Sequence, residues 1–257
     1  MIVSRITLLG VVIDPFSIDH LNQCIATAIK QQKRWIIANH NLHSIYLYHR
    51  DQKMRQFYKK AHVIHIDGMP LIYWGRILGY KLKREQRVTY VDWIHPLMAM
   101  AAAEGWRVFY LGSKPGVAAL AAKRLRQRYP ALQITTRDGY FQADDNTAVL
   151  AEIANFRPHV LMVGMGMPRQ ERWILENLEH LSANAILTAG ACFDYVAGVI
   201  PTPPRWMGRT GLEWLYRLYS EPRRLARRYL LEPWALLPLM AHDLWQMVWR
   251  GRNFDTQ

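Results

Sequence analysis

A short apolar run that stops at glycines and then turns polar constrains the fold more than any other stretch of this sequence. Residues 160–163 are apolar, Gly164 and Gly166 follow, and a polar, helix-compatible segment begins at Pro168. This order predicts a buried strand, a loop and a helix. Ligands of open α/β sheets bind beside such loops, where glycines allow close backbone approach and helix N–H groups hold phosphate. The segment lacks the lysine of a P-loop and the spacing of a Rossmann fingerprint, so it predicts a nucleotide-diphosphate site of another kind.

The same alternation of apolar runs and helical spacing extends along the chain as far as residue 200. The predicted strands are residues 6–13, 34–39, 63–66, 107–111, 132–136, 160–163 and 185–188. The predicted helices are residues 18–31, capped by Ser17 or Asp19, then 42–60, 94–104, 117–129 and 145–155. This alternation predicts an α/β fold with a mostly parallel, Rossmann-like sheet and helices on both faces.

The character of the sequence changes at a cluster of prolines. Pro201, Pro203 and Pro204 interrupt the chain, and the segment 205–228 then holds seven arginines against two acidic residues. Residues 234–249 are apolar and rich in tryptophan. We therefore predict an α/β core over residues 1–200 and a helical, arginine- and tryptophan-rich appendage over residues 201–257.

Composition limits the class of protein. The formal net charge of +13 indicates an anionic partner, which is nucleic acid, a phosphorylated substrate or a membrane surface. Cys24 and Cys192 provide no disulfide framework, as is typical of a reducing cytoplasm. The ten histidines show no metal-ligand spacing, so neither a metal nor a cofactor is predicted. No apolar stretch reaches the roughly 20 residues of a membrane span, and residues 1–14 predict a first strand, not a signal peptide.

Short motifs follow one another at the ends of the predicted strands and through the appendage. They are NLH at 41–43, DGMP at 67–70, RVTYVD at 87–92, LGSKPGV at 111–117, DGYF at 138–141, GMGMPRQE at 164–171, GACFD at 190–194, GLEWLYRL at 211–218, EPRR at 221–224 and RRY at 227–229. Each motif is weak alone, but together and in this order they resemble the TagA/WecG (CpsF-like) family of glycosyltransferases, family 26.

The resemblance implies an enzyme of cell-surface polysaccharide biosynthesis, such as exopolysaccharide. Its family transfers a sugar from a UDP-sugar to a polyprenyl-diphosphate-linked saccharide, inverting the anomeric centre without a metal. It implies a cytoplasmic protein associated peripherally with the anionic inner face of a bacterial cell membrane. The donor sugar stays open among N-acetylmannosamine, its uronic acid, glucose and glucuronic acid. The sequence also leaves open whether the protein is a homo-oligomer.

Asp67 ends a predicted strand in a ligand-facing position and is the predicted catalytic base. An inverting transfer needs a base for the acceptor hydroxyl, and a positioned carboxylate contributes about 10²–10⁴-fold. On sequence alone an Asp-Gly pair more often forms a turn. The resemblance reverses that preference, because Asp67 matches the family's proposed base.

The donor side of the site is predicted from amides, an arginine, a carboxylate and strand-end glycines. Side-chain amides donate to sugar hydroxyls or diphosphate oxygens, and an arginine compensates charge on the leaving UDP. Each of these residues also has a structural alternative that needs no ligand. The asparagines and the aspartate could cap helices, the arginine could be a solvated surface residue, the glutamine could start a helix, and the glycines could form turns. The predicted donor contacts are Asn39, Asn41, Arg87, Gly112, Tyr140, Gly164, Gly166, Gln170 and Asp194.

The acceptor diphosphate is predicted to meet Arg217, Arg224 and Arg227, whose spacings of seven and three place them near one helix face if the helix continues through Pro222. Attraction to anionic lipid, worth roughly 1 kcal/mol per basic residue, is the alternative role. Tryptophans of the appendage either rest at a lipid interface or pack in a core, and they are Trp206, Trp214, Trp234, Trp245 and Trp249.

Other residues and functions carry less weight. Glu171 is expected on the surface beside Arg169 or Arg172, and histidines near the site are expected to be structural, namely His40, His43, His62 and His65. Another class of nucleotide-using α/β enzyme is disfavoured, because the sequence has neither the lysine of a P-loop nor a dinucleotide fingerprint. A nucleic-acid-binding basic α/β protein fits the charge, but the tryptophan-rich tail suits a membrane better, so no nucleic-acid partner is expected.

Overall fold

A parallel sheet of six strands organises the molecule. The computed structural model describes residues 4–254, apart from the side chains at positions 143, 205, 209 and 250–254. The strands are β1 (Ile6–Leu8), β2 (Val11–Ile13), β3 (Trp35–His40), β4 (Val63–Ile66), β5 (Arg107–Gly112), β6 (Gln133–Arg137), β7 (Val160–Gly164) and β8 (Ala185–Thr188). The last six pair in parallel in the order β4-β3-β8-β7-β5-β6. The predicted parallel sheet is confirmed.

The prediction of a single first strand was wrong. Residues 6–13 form an antiparallel hairpin of β1 and β2, separate from the parallel sheet. The chain reverses at Leu9 and Gly10, which both adopt positive φ values, 52° and 74°. A continuous apolar run conceals such a turn, because both strands of the hairpin bury apolar side chains.

Helices follow almost every strand. They are α1 (Ile18–Lys30), α2 (Leu42–Arg50), α3 (Gln52–Lys60), α4 (Met69–Ile77), α5 (Tyr90–Ala103), α6 (Val117–Arg128), α7 (Asn146–Phe156), α8 (Arg169–Asn177), α9 (Cys192–Val196), α10 (Arg205–Thr210), α11 (Glu213–Ser220), α12 (Pro222–Ala226) and α13 (Leu237–Phe254). Short 3₁₀ turns occupy Arg84–Gln86, Ala143–Asp145, Leu178–His180 and Glu232–Leu236, and Arg227–Leu231 forms a wide π-type turn.

Two helices differ from the prediction, and the residues at their N-termini explain where they begin. The predicted helix 42–60 is two helices, because the Asp51 carboxylate accepts hydrogen bonds from the backbone N–H groups of Lys53 and Met54 and starts α3. Helix α4 was not predicted; it begins directly after Gly68, with Pro70 in its first turn, where proline is well tolerated.

Helices cover both faces of the sheet, as predicted. On one face Val108 and Tyr110 of β5 join a buried cluster with residues of α1, α5, α6 and α9. On the other face Phe109 and Leu111 join a cluster with α3, α7 and α8. Alternate side chains of one strand thus serve opposite faces, which explains the uninterrupted apolar runs of the sequence.

The C-terminal segment packs against the core. Leu236 is buried in a third cluster with the β1–β2 hairpin and α4. The Asp243 carboxylate accepts hydrogen bonds from the Leu9 backbone N–H at 2.7 Å and from Trp74 Nε1 at 2.9 Å. The division of the chain into a core and an appendage at residue 200 stays a proposal. Residues 1–3 of the predicted core and 255–257 of the predicted appendage lie outside the described residues.

Candidate active site

A cavity of about 870 Å³ opens beside the carboxyl ends of β3, β4, β7 and β8. Residues of α11, α12 and the π-type turn form its other wall. Predicted site residues from distant parts of the sequence meet there, namely Asn39, Asn41, Asp67, Arg87, Tyr140, Gly164, Gly166, Gln170, Asp194, Arg217, Arg224 and Arg227. Their roles stay predictions.

Gly112 lies outside the lining of this cavity and has a packing role instead. A Cβ atom at position 112 would lie 2.3 Å from the carbonyl oxygen of Gly164, and a Cβ at Gly164 would lie 2.0 Å from the Tyr110 hydroxyl oxygen. The ends of β5 and β7 therefore approach each other more closely than any side chain permits. Close packing of the two strand ends therefore accounts for a glycine at position 112, and its predicted contact with the donor stays a prediction.

The Asp67 carboxylate follows β4 and faces the cavity. Asn41 Nδ2 donates a hydrogen bond to Asp67 Oδ2 at 3.2 Å. Burial raises the pKa of Asp67 from its ordinary value of 3.8 to about 6, against the opposing effects of Arg87, Asn41 and Arg217. A carboxylate with a pKa of about 6 is ionised at neutral pH and more basic than an exposed one, which suits proton abstraction.

Both asparagines hold fixed positions beside Asp67. Asn41 caps α2 by accepting from the Ser44 N–H at 3.1 Å, so its capping and its contact with Asp67 coexist. The Asn39 amide donates to the carbonyl oxygen of Thr188 at 3.2 Å, which ties β3 to β8. The Asn39 side-chain oxygen is buried without a hydrogen-bond partner and remains an acceptor at the cavity wall.

Arg87 is buried, which excludes the solvated surface role. Its guanidinium pairs with Glu213 of α11, approaches Asp92 at 3.8 Å and donates to the Gly208 carbonyl oxygen at 3.4 Å. Arg87 therefore links the α/β core to the C-terminal segment. The Arg87 side chain also lines the cavity, but its charge is already compensated by Glu213. Its contact with the donor stays a prediction.

Gln170 joins the two glycine loops. Its side-chain oxygen accepts hydrogen bonds from the backbone N–H groups of Gly166 and Gly190, both at 3.1 Å. Its amide nitrogen donates to Glu171 Oε1 at 2.8 Å. The expectation that Glu171 lies on the surface was wrong: the side chain is fully buried, and burial raises its pKa to about 7.

Other residues line the cavity with polar or aromatic groups. Ser113 Oγ donates to Asp194 Oδ2 at 3.1 Å, and burial raises the pKa of Asp194. The Tyr140 ring is 61% exposed, and the Arg169 guanidinium lies 6.0 Å from its centroid. An exposed ring at a cavity rim offers a stacking surface for a planar base.

The appendage arginines do not share one helix. Helix α11 ends at Ser220 and Pro222 starts α12, so the helix does not continue through Pro222 and the condition for a common helical face is not met. The resulting bend nevertheless brings all three predicted arginines to the cavity. Arg224 makes two 2.6 Å contacts with the Glu221 carboxylate. The Arg217 Nε is buried without a hydrogen-bond partner.

Among the residues of the cavity wall that sequence reasoning missed are His43, Arg228 and Glu232. His43 Nδ1 lies 2.5 Å from Glu232 Oε2 and so connects α2 to the C-terminal segment. Burial and the Arg228 charge lower the pKa of His43, while Glu232 raises it. The position of His43 beside Asn41 in the NLH motif was the available signal.

The other site histidines fit structural roles. Burial lowers the pKa of His40 to about 3 and that of His65 to about 4, so both are neutral at physiological pH. Within residues 4–254, no three His, Cys, Asp or Glu side chains cluster closely enough to hold a metal ion.

Tryptophans of the C-terminal segment lie mainly at the surface. Trp206, Trp234, Trp245 and Trp249 are all more than half exposed, whereas Trp214 is half-buried. Several leucines of the same segment are exposed as well, namely Leu215, Leu230, Leu231, Leu237 and Leu244. Among the described residues, no helix has the length and apolar character needed to cross a bilayer.

Comparison with known proteins gives a consistent result. The sequence model of the "Glycosyl transferase WecG/TagA/CpsF family" matches residues 6–250. The N-acetylglucosaminyldiphosphoundecaprenol N-acetyl-beta-D-mannosaminyltransferase of Bacillus subtilis (strain 168) is 32% identical over 175 residues. That match covers 67% of this chain and 66% of the relative, slightly less than two thirds of the relative's length.

Proposed function

The chain belongs to the WecG/TagA/CpsF family of glycosyltransferases, and from this premise we propose that it transfers a sugar from a UDP-sugar to a polyprenyl-diphosphate-linked saccharide. The name of the Bacillus subtilis relative describes transfer of N-acetylmannosamine to such an acceptor, so N-acetylmannosamine is the first donor sugar to test. The observation that carries the proposal is the Asp67 carboxylate, which shares one cavity with the glycine loops and Arg217. This combination provides a base and a diphosphate site together.

The proposed reaction is a single displacement with inversion. Asp67 takes the proton of the acceptor hydroxyl as the hydroxyl oxygen bonds to the anomeric carbon from the face opposite UDP. The bond from the anomeric carbon to the diphosphate oxygen breaks, and its electron pair leaves with UDP. Arg217 offsets the developing negative charge, a function that metal ions perform in other enzymes. We therefore propose that the reaction is independent of metal.

Product analysis tests this function directly. The purified protein is incubated with a panel of UDP-sugars and a synthetic polyprenyl-diphosphate N-acetylglucosamine, in buffer with and without EDTA. We expect one donor to yield an acceptor heavier by one sugar residue, with or without EDTA. If every UDP-sugar fails and sugars carried by other nucleotides are accepted instead, the proposed donor is contradicted. Loss of product in EDTA contradicts metal independence.

The pH dependence of transfer follows from the state of Asp67. Because its pKa is raised to about 6 and only the ionised form accepts a proton, kcat/KM is expected to fall as pH drops through about 6. The measurement is a kcat/KM profile from pH 4.5 to 8.5 at saturating acceptor. A profile that stays flat down to pH 4.5 would show that no carboxyl of raised pKa takes part.

We also propose that the protein binds the anionic inner face of the cell membrane through the tryptophan-rich surface of its C-terminal segment. Exposed tryptophans suit a lipid interface, and the +13 charge attracts anionic headgroups. In co-sedimentation at moderate salt we expect binding to anionic liposomes, weaker binding for the double variant Trp245→Ser/Trp249→Ser, and little binding to DNA. Tight DNA binding with no liposome binding would instead favour a nucleic-acid-binding protein.

A further inference from the structure

Arg228 reaches the part of the cavity nearest Asp67. It belongs to the π-type turn Arg227–Leu231, which follows α12. Its side chain lines the cavity, and Nη2 lies 3.5 Å from Asn41 Oδ1, at the limit of a hydrogen bond. Asn41 is the residue that donates to Asp67. One amide side chain therefore separates the Arg228 guanidinium from the carboxylate that we propose as the base.

Among the residues that the structure describes, no ion pair compensates the charge of Arg228. Arg87 is paired with Glu213, and Arg224 is paired with Glu221. Arg228, by contrast, forms no ion pair within the described part of the chain, and its Nε is buried without a hydrogen-bond partner. Burial lowers the pKa of Arg228, and the neighbouring Arg217 lowers it further, against the raising effects of Tyr229, Asp67 and Glu232.

A buried guanidinium N–H group without a partner, such as Nε–H of Arg228, is costly, and an anion that enters the cavity and accepts a hydrogen bond from it removes that cost. The planar fork of arginine donors matches two oxygens of a phosphate group. Arg217 presents a second buried Nε without a partner on the same wall. Two such groups beside one cavity call for a ligand with more than one negative charge.

We propose that Arg228, together with Arg217, binds a diphosphate group beside Asn41 and Asp67. This assignment rests on the proposed function, in which both the donor and the acceptor carry a diphosphate. It separates Arg228 from its neighbour Arg227, which lines the cavity but is exposed to solvent. Arg223 is also exposed and lies outside the lining, so it provides a matched control.

Calorimetric titration of the full chain tests the assignment, with UDP in one arm and a water-soluble short-chain prenyl diphosphate in the other. Arg228→Met is expected to bind one of the two roughly tenfold to a hundredfold more weakly than the wild type, the range expected for a lost charged hydrogen bond. The arm that weakens identifies the source of the diphosphate. Arg228→Lys keeps the charge but loses the planar fork of donors, so its affinity is expected to lie between those of the wild type and Arg228→Met.

The control Arg223→Met should bind both ligands within about twofold of the wild type, as expected of a surface change. Thermal melting of each variant separates lost binding from lost folding, and Arg228→Lys carries the test if Arg228→Met unfolds. Unchanged affinity of both Arg228 variants for both ligands overturns the assignment but leaves the proposed function intact. If the wild type binds neither ligand, the proposed function fails, and the assignment fails with it.

Discussion

Replacing Asp67 by asparagine is expected to lower the rate of sugar transfer by roughly 10²–10⁴-fold, the usual contribution of a general base. Asparagine keeps the shape of the side chain and a hydrogen-bonding partner for Asn41, but it cannot accept the acceptor's proton. Binding of UDP should stay within about twofold of the wild type, because the change leaves the glycine loops and arginines in place. The measurement is transfer kinetics, with calorimetry for UDP binding.

Stability provides an internal check on the Asp67→Asn variant. Burial raises the pKa of Asp67 from 3.8 to about 6, so the folded state binds the proton more tightly than the unfolded chain does. Above about pH 6 the ionised carboxylate therefore opposes folding, and the neutral amide should leave the melting temperature equal or higher. Asp144→Asn, at an exposed position, is the matched control and should behave as wild type. Near-normal turnover of Asp67→Asn would remove Asp67 from the mechanism.

Replacing Arg217 by methionine is expected to lower transfer by roughly 10²–10³-fold, the cost of removing one charge-stabilising donor from an active site. Arg217 is half-buried at the cavity wall, and its Nε has no hydrogen-bond partner. Burial lowers the pKa of Arg217, but Tyr229, Tyr195 and Asp67 outweigh that effect and raise it. Methionine preserves much of the side-chain volume and removes only the charge and the donors.

The pH profile distinguishes this role from a structural one. Because Arg217 lowers the pKa of Asp67, the Arg217→Met variant should lose activity at a higher pH than the wild type does. Arg223→Met, an exposed arginine outside the cavity, should change neither the rate nor the profile. An Arg217→Met enzyme with wild-type kcat/KM and an unshifted profile would contradict the proposed charge compensation.

Much of the central sheet could be predicted from the sequence. Strands Val63–Ile66 and Ala185–Thr188 match their predicted bounds, because strands buried on both faces are short and mostly apolar. The glycine and polar residues that follow them mark the carboxyl edge of the sheet. That regularity explains why Asn41, Asp67 and Asp194 could be expected in one cavity from the sequence alone.

Contacts between distant parts of the sequence could not be predicted. Arg87 pairs with Glu213 across 126 positions, and Trp74 contacts Asp243 across 169. In the sequence, Arg87 has the character of a surface residue and Asp243 that of an interruption in an apolar run. Both instead hold the C-terminal segment on the core, a function that depends on tertiary packing. The burial of Glu171 was not predicted for the same reason, since it leaves no local signal in the sequence.

The arginines of the C-terminal segment show how a break in a helix alters which side chains reach a site. Spacings of seven and three from Arg217 point to Arg224 and Arg227 if the helix is continuous. The break at Pro222 and the wide turn at Arg227–Leu231 rotate the chain, which brings Arg228 toward Asn41 and leaves Arg227 exposed. Periodicity alone therefore could not single out Arg228.

The most direct test is a crystal structure of the full chain with UDP bound. We expect the diphosphate between the loops at Gly166 and Gly190 and the Arg217 guanidinium, with the β-phosphate nearest the Asp67 side of the cavity. The Asp67 carboxylate should face the space that the sugar would occupy. UDP bound outside this cavity, or an Asp67 side chain directed away from the nucleotide, would contradict the proposed function.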